Sequence, residues 1–127
     1  MDRKTKGSPG RAESGRAAPG RALATLGLAR RAGRAVCGEL AVEKSIRAGA
    51  FLVILATDAS AGTRKKFEQM CYYYHVPLVS FGTKGELGSA LGRDGYCACA
   101  ALNDDGFAEL MKRQISTENE EGRVWEK

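Results

Sequence analysis

Phe51-Leu52-Val53-Ile54-Leu55-Ala56 is the stretch from which the rest of this 127-residue chain is read. Side chains along a strand alternate between two faces, so a run apolar at every position needs cover on both. It therefore predicts a central strand with helices on each side. Downstream, Ser60 can cap a helix running to about Tyr74, with Phe67, Met70, Cys71 and Tyr74 at i, i+3, i+4 and i+7 as its buried stripe. Pro77 to Phe81 is the next strand. Thr83-Lys84-Gly85-Glu86 has the spacing of a capping box and starts a short helix with Leu87, Ala90 and Leu91 inward, stopped by Gly92. Tyr96 to Leu102 is the last strand, and Asp104 or Asp105 caps a final helix with Phe107, Leu110 and Met111 inward. Upstream, a helix over Ala22 to Ala32 ends at Gly33, and a short strand follows at Arg34–Cys37. Gly38 then opens a second helix, Glu39 to Ala48, with Val42 and Ile46 inward and Gly49 closing it. The order αβαβαβαβα predicts an α/β fold, a three-layer α/β/α sandwich around a four-stranded mixed sheet, largely non-antiparallel.

The ends differ in character. Lys4 to Pro19 reads KTKGSPGRAESGRAAP, without a large apolar side chain, so residues 1–19 are expected to be a disordered basic tail. Residues 20–115 form the folded domain, and residues 116–127 an acidic flexible tail in which Val124 and Trp125 can dock. Six Lys/Arg against two acids give residues 1–21 a charge of +4; residues 22–115 carry +3 and residues 116–127 carry −2. A sequence pI of about 9.2 fits a polyanionic partner. No stretch approaches a membrane span, and no apolar segment follows the first basic residues as in a secretory signal. Cys37, Cys71, Cys97 and Cys99 form no CxxC pair and His75 is the only histidine, so neither a metal nor another cofactor is expected. Unpaired thiols point to a reducing, cytoplasmic setting.

No enzyme signature stands out. His75 suits a helix end better than a triad. Asp58 lies just beyond the central strand, where open α/β sheets bind ligands, and is a candidate phosphoacceptor or metal ligand, but Ala56-Thr57-Asp58-Ala59-Ser60 supplies no second acid. The glycines of Gly82 to Gly88 lack the Gly-Lys-Ser/Thr ending of a phosphate loop. The second helix is more informative. Leu40, Lys44 and Arg47 recur on the face away from Val42 and Ile46, behind a glycine start whose free amides and dipole favour anions. Arg34 and Lys44 can neutralise phosphates while amides near Gly38–Leu40 reach bases or sugars; a solvated face with Glu43 paired locally explains the pattern equally well. Arg64-Lys65-Lys66 reads as a solvated helix face, with Arg64 and Glu68 at i, i+4. Tyr72-Tyr73-Tyr74 can stack bases, with one of the three in the core.

Leu26-Gly27-Leu28-Ala29-Arg30-Arg31-Ala32-Gly33, Gly38 followed by Lys44, Leu52 to Asp58, Cys71 before Val76-Pro77, and Leu87-Gly88-Ser89-Ala90-Leu91-Gly92 together resemble the kink-turn-binding ribosomal protein superfamily, in particular its small bacterial YlxQ-type members. The resemblance covers roughly Ala22 to Met111. It implies a non-catalytic α/β/α sandwich that binds structured RNA, ribosomal RNA foremost, in association with ribosomes. The implied surface is Gly38, Glu39, Leu40, Ala41 and Lys44, with Asp58 nearby and Gly92, Arg93, Asp94 and Gly95 in the loop before the last strand. Leu40 and Ala41 stand where strong kink-turn binders of the superfamily carry Asn-Glu, and they cannot make the hydrogen bonds that read sheared G·A pairs. The implied recognition is therefore of backbone and shape. A protein-interaction or regulatory module of the same fold, with Leu40 contacting a protein, is the alternative.

Overall fold

The structure is a computed structural model that describes residues 20–92, 96–118 and 124–125. Its elements are α1 (Gly20–Arg31), β1 (Ala35–Cys37), α2 (Glu39–Arg47), β2 (Leu52–Leu55), α3 (Ala61–Tyr74), β3 (Leu78–Ser80), α4 (Lys84–Ala90), β4 (Cys99–Leu102), α5 (Asp105–Glu118) and β5 (Val124–Trp125). The central run does what its composition demands. Leu52 and Ile54 join a core with Leu26 of α1, Leu87 of α4 and Met111 of α5, while Val53 and Leu55 join one with Val42 and Ile46 of α2 and Phe67 and Cys71 of α3. The layers are thus α1, α4 and α5, then the sheet, then α2 and α3. All four side chains of β2 are fully buried.

The sheet is mixed, as expected, but its balance differs from the reading above. Strand order is β1-β4-β2-β3-β5, and only β2 and β3 pair in parallel. The reason lies in α4. Its seven residues span only about 10 Å, and the chain returns to its starting end before the next strand instead of crossing the sheet as it does at α2 and α3. Cys97 N–H is instead tied to Lys84 O at the start of α4 (3.1 Å). The chain re-enters the sheet from the end where β3 left it, so β4 runs antiparallel into the gap between β1 and β2. The C-terminal boundary also moves. α5 continues through Glu118, and Val124 and Trp125 add a fifth strand opposite Val79 and Leu78. A flexible segment from 116 onward does not describe those residues. The basic tail, residues 1–19, lies outside the described residues.

Local signals for helix ends hold. Ser60 Oγ accepts from Thr63 N–H (3.1 Å), Asp104 Oδ2 accepts from Phe107 N–H (2.9 Å), and His75 ends α3 in the left-handed conformation. The Thr83–Glu86 box closes in both directions, at 3.1 and 2.9 Å. Gly27 sits where α1 meets α4: a Cβ there would come within 3.1 Å of Ala90 O. Thr83→Ala leaves the Glu86 amide without its partner and is expected to cost about 0.5–2 kcal/mol, seen as a lower urea midpoint with unchanged m-value. A midpoint equal to that of the unaltered chain would show that the box contributes nothing.

Candidate nucleic-acid interface

β1, β2 and β3 finish, and β4 starts, at the same end of the sheet. Five hydrogen bonds stitch that end together. Gly38 N–H donates to Cys99 O (3.1 Å), Ala56 N–H to Ala98 O (2.9 Å) and Thr57 N–H to Gly82 O (2.7 Å). Cys97 N–H donates to Lys84 O as above, and Lys84 N–H donates to Asp58 Oδ1 (2.8 Å). The start of α2, the β2–α3 connection, the start of α4 and the approach to β4 are therefore one connected platform.

At its edge Gly38 caps α2 with φ 98° and ψ 150°, a conformation open in practice to glycine alone, and no side chain caps the helix there. The first-turn amides of Glu39, Leu40 and Ala41 are those that a helix leaves without internal partners. Leu40 is 77% exposed. Lys44, one turn further, is exposed and makes no ion pair among the described residues. Glu39 is restrained: its carboxylate accepts from Thr63 Oγ1 (3.1 Å) and faces Lys66 Nζ (3.4 Å). Lys66 also pairs closely with Glu43. This pairing raises the Lys66 pKa and lowers that of Glu43, in each case chiefly through the hydrogen bond between them.

Other expected site residues are distributed differently. Asp58 belongs to the platform, but one of its oxygens accepts the Lys84 amide at the start of α4. Among the described residues no group of His, Cys, Asp and Glu could hold a metal ion. Arg34 is exposed at the far end of β1 from Gly38, about 13 Å away at strand rise, so the two do not meet. Gly92 is exposed beyond α4 in the left-handed region (φ 72°). Arg93, Asp94 and Gly95 lie outside the described residues.

Two expectations about α3 fail. Arg64 is not part of a solvated face: its Nη2 donates to Ala56 O (2.9 Å) and reaches Ser80 Oγ (3.3 Å), bracing the ends of β2 and β3. None of the three tyrosines is in the core; Tyr72, Tyr73 and Tyr74 are 67%, 71% and 39% exposed. Phe67 and Cys71 alone among α3 side chains are fully covered, so its buried stripe is narrower than the periodicity implied. Sequence reading missed Lys84 and Tyr96. Lys84 Nζ stands 5.5 Å from the centre of the Tyr96 ring, which is 71% exposed on the platform. Twelve residues separate them, and only the α4 return brings them together.

Cys71, Cys97 and Cys99 pack in the two cores. Burial pushes the Cys71, Cys97 and Cys99 thiols up to about 12, so they stay protonated at neutral pH and are poor nucleophiles and poor metal ligands. Unfolded thiols ionise from about pH 9. The folded state binds those protons more tightly, so this contribution to stability is complete below pH 9 and is lost as pH rises toward 12. Urea titrations across that window are expected to show a falling midpoint, with a shallower fall in Cys71→Ala; identical slopes would remove the thiol contribution. Gly38→Ala forces a side chain into positive φ and is expected to cost about 1–3 kcal/mol, measured by the same titration at neutral pH; an unchanged midpoint would mean that the α2 entry is not strained by a Cβ.

The family model for "Ribosomal protein L7Ae/L30e/S12e/Gadd45 family" matches residues 21–112. The "RNA-binding protein YlxQ" of Bacillus subtilis (strain 168) is 44% identical over 87 residues, 68% of this chain and 86% of that one. Its counterpart of the same name in Enterococcus faecium is 33% identical over 96 residues, 75% and 91% of the two chains. Among solved structures, a protein of unknown function from Bacillus halodurans superposes with a TM-score of 0.71 at 34% identity, over 76% of this chain and 97% of that one. The Giardia lamblia 15.5kD RNA binding protein superposes with a TM-score of 0.62 at 21% identity, over 77% and 84%, a likeness of fold.

Proposed function

Since the chain belongs to the ribosomal protein L7Ae/L30e/S12e/Gadd45 family, we propose that it is a non-enzymatic RNA-binding protein that takes structured RNA on the platform led by Gly38. The observation that carries this reading is the α2 entry. An uncapped, glycine-led helix start presents free amides and a positive dipole end; Lys44, without an ion pair among the described residues, follows one turn along, and Asp58, Tyr96 and Lys84 at the start of α4 adjoin it. The names of the two YlxQ relatives agree with it.

Leu40 is central to the mode of recognition. Exposed beside the first-turn amides, it offers apolar contact to a sugar or a base face and no hydrogen bond to a base edge. Ala41, half-buried, adds none. Recognition then rests on backbone and shape: phosphate at Lys44, amides of Glu39 to Ala41 on sugar or phosphate oxygens, and Tyr96 available to stack a base that the RNA leaves unpaired. Gly92, beyond α4, and Arg93 are the further contacts that this reading proposes. Arg34, at the other end of β1, is a phosphate contact only for an RNA long enough to run along the sheet edge. Ribosomal RNA is the candidate target and the cytoplasm the setting; the N-terminal basic segment adds non-specific attraction.

Lys44→Ala is expected to weaken binding to a kink-turn RNA and to a plain duplex alike, and to reduce the salt slope by about one. Deleting residues 1–19 should chiefly flatten the slope, since those residues add phosphate contacts without base readout. Gel-shift titrations of both RNAs at two salt concentrations measure both effects. Full affinity in Lys44→Ala, or no binding to any structured RNA at low salt, would overturn the assignment. Ribosome sedimentation before and after ribonuclease treatment tests the ribosomal part.

A further inference from the structure

On the outer face, away from the platform, α2 and α3 leave an open groove of about 570 Å³ lined by Glu43, Arg47, Lys66, Gln69, Met70, Tyr73 and Tyr74. We propose that this groove is a second RNA subsite that takes an unpaired purine nucleotide from a strand continuing off the RNA on the platform; it rests on the function proposed above.

Three observations select this occupant. The first is the aromatic floor and wall. Tyr73 and Tyr74 meet edge to face, with ring centres 4.9 Å apart and planes at 79°, so their rings are held at right angles. Tyr73 remains 71% exposed and offers an open π face. Stacking on such a face tolerates any base and favours the larger purines. Gln69, one turn earlier on α3, brings an amide able to donate to and accept from a base edge.

The second is charge. Lys66 neutralises Glu43 by close contact and also faces Glu39. Arg47 has only a 3.9 Å approach to Glu43 and a side chain 56% exposed. So loose and exposed a pair opens readily, and Arg47 can move to a phosphate at little loss. Lys65, exposed on the shoulder one turn before Gln69, makes no ion pair among the described residues. The groove and its rim thus suit an anion with an aromatic head, which is a nucleotide.

The third is continuity. Leu40, Lys44 and Arg47 lie along one exposed ridge of α2, spanning about 10 Å at helical rise. A strand leaving the Gly38 platform can follow Lys44 to Arg47 and place its next unpaired base against Tyr73. The phosphate-then-aromatic order is that of single-strand channels, a basic track with stacking positions along it.

The test uses the full chain, a hairpin RNA with and without a short single-stranded oligo(A) extension, and the oligo(A) alone, by fluorescence anisotropy. The extension is expected to tighten binding about fivefold or more, the scale of one stacked base. Tyr73→Ala should abolish that gain and leave the blunt hairpin unaffected; Tyr73→Phe should keep it. An extension of abasic residues should give little of it. No gain in the unaltered protein, or a full gain in Tyr73→Ala, overturns the subsite. If the blunt hairpin is not bound but oligo(A) binding still depends on Tyr73, the platform reading falls and the groove stands.

Discussion

The insertion of β4 between β1 and β2 is the constraint on which the rest of this molecule depends. Cys99 to Leu102 pair with Leu55 to Leu52 on one side, and Ala100 to Leu102 with Cys37 to Ala35 on the other. β4 is thus the ladder partner of β1 and, on one side, of β2. Its residues are small where helices press closest: Ala100 and Ala101 are fully buried, one toward each core. The same insertion brings Cys99 O to the Gly38 amide and so aims the first turn of α2 outward. Fold and platform share one cause.

That cause explains what sequence could and could not reveal. The run Leu52–Leu55 disclosed a strand buried on both faces because hydrophobicity at consecutive positions has one economical solution. The helix caps at Ser60, Thr83 and Asp104 were legible because each is satisfied within three or four residues. Strand direction was not. It depends on whether the chain crosses the sheet before returning, and the brevity of α4 decides this only once the Lys84–Cys97 contact is known. β5 was equally hidden: two residues without a periodic flank carry no signal, although Val124 and Trp125 stood out as able to dock.

The candidate site divides in the same way. The glycine start at Gly38 and the exposure of Lys44 were legible because both are local features of α2. Arg34 was grouped with them by proximity in sequence, whereas a strand separates neighbours: its two ends are the two ends of the sheet. Arg64 was misplaced for the opposite reason. Its local partner, Glu68, was in register, but the carbonyl of Ala56 and the hydroxyl of Ser80 are better buried partners, and the sheet edge brings them within reach. Lys66 and Lys84 acquire their roles from residues 23 to 27 and 12 positions away, which no helical period reports.

Leu40 links the packing to the chemistry. A leucine 77% exposed at the first turn of a helix costs solvation and gains nothing from the core, which lies on the side of Val42 and Ile46. A lone exposed leucine is common on protein surfaces; what sets this one apart is its place beside the uncapped start of α2. A partner that reads hydrogen-bond patterns would want a polar side chain there; one that reads shape can use an apolar knob flanked by free amides and a lysine. Glu39 adds to this: its carboxylate is held by Thr63 and Lys66 of α3 and makes no cap on the first-turn amides of its own helix. Its charge is thereby taken up by a strut between α2 and α3, and the uncapped start of the helix keeps its dipole end at the edge of the platform.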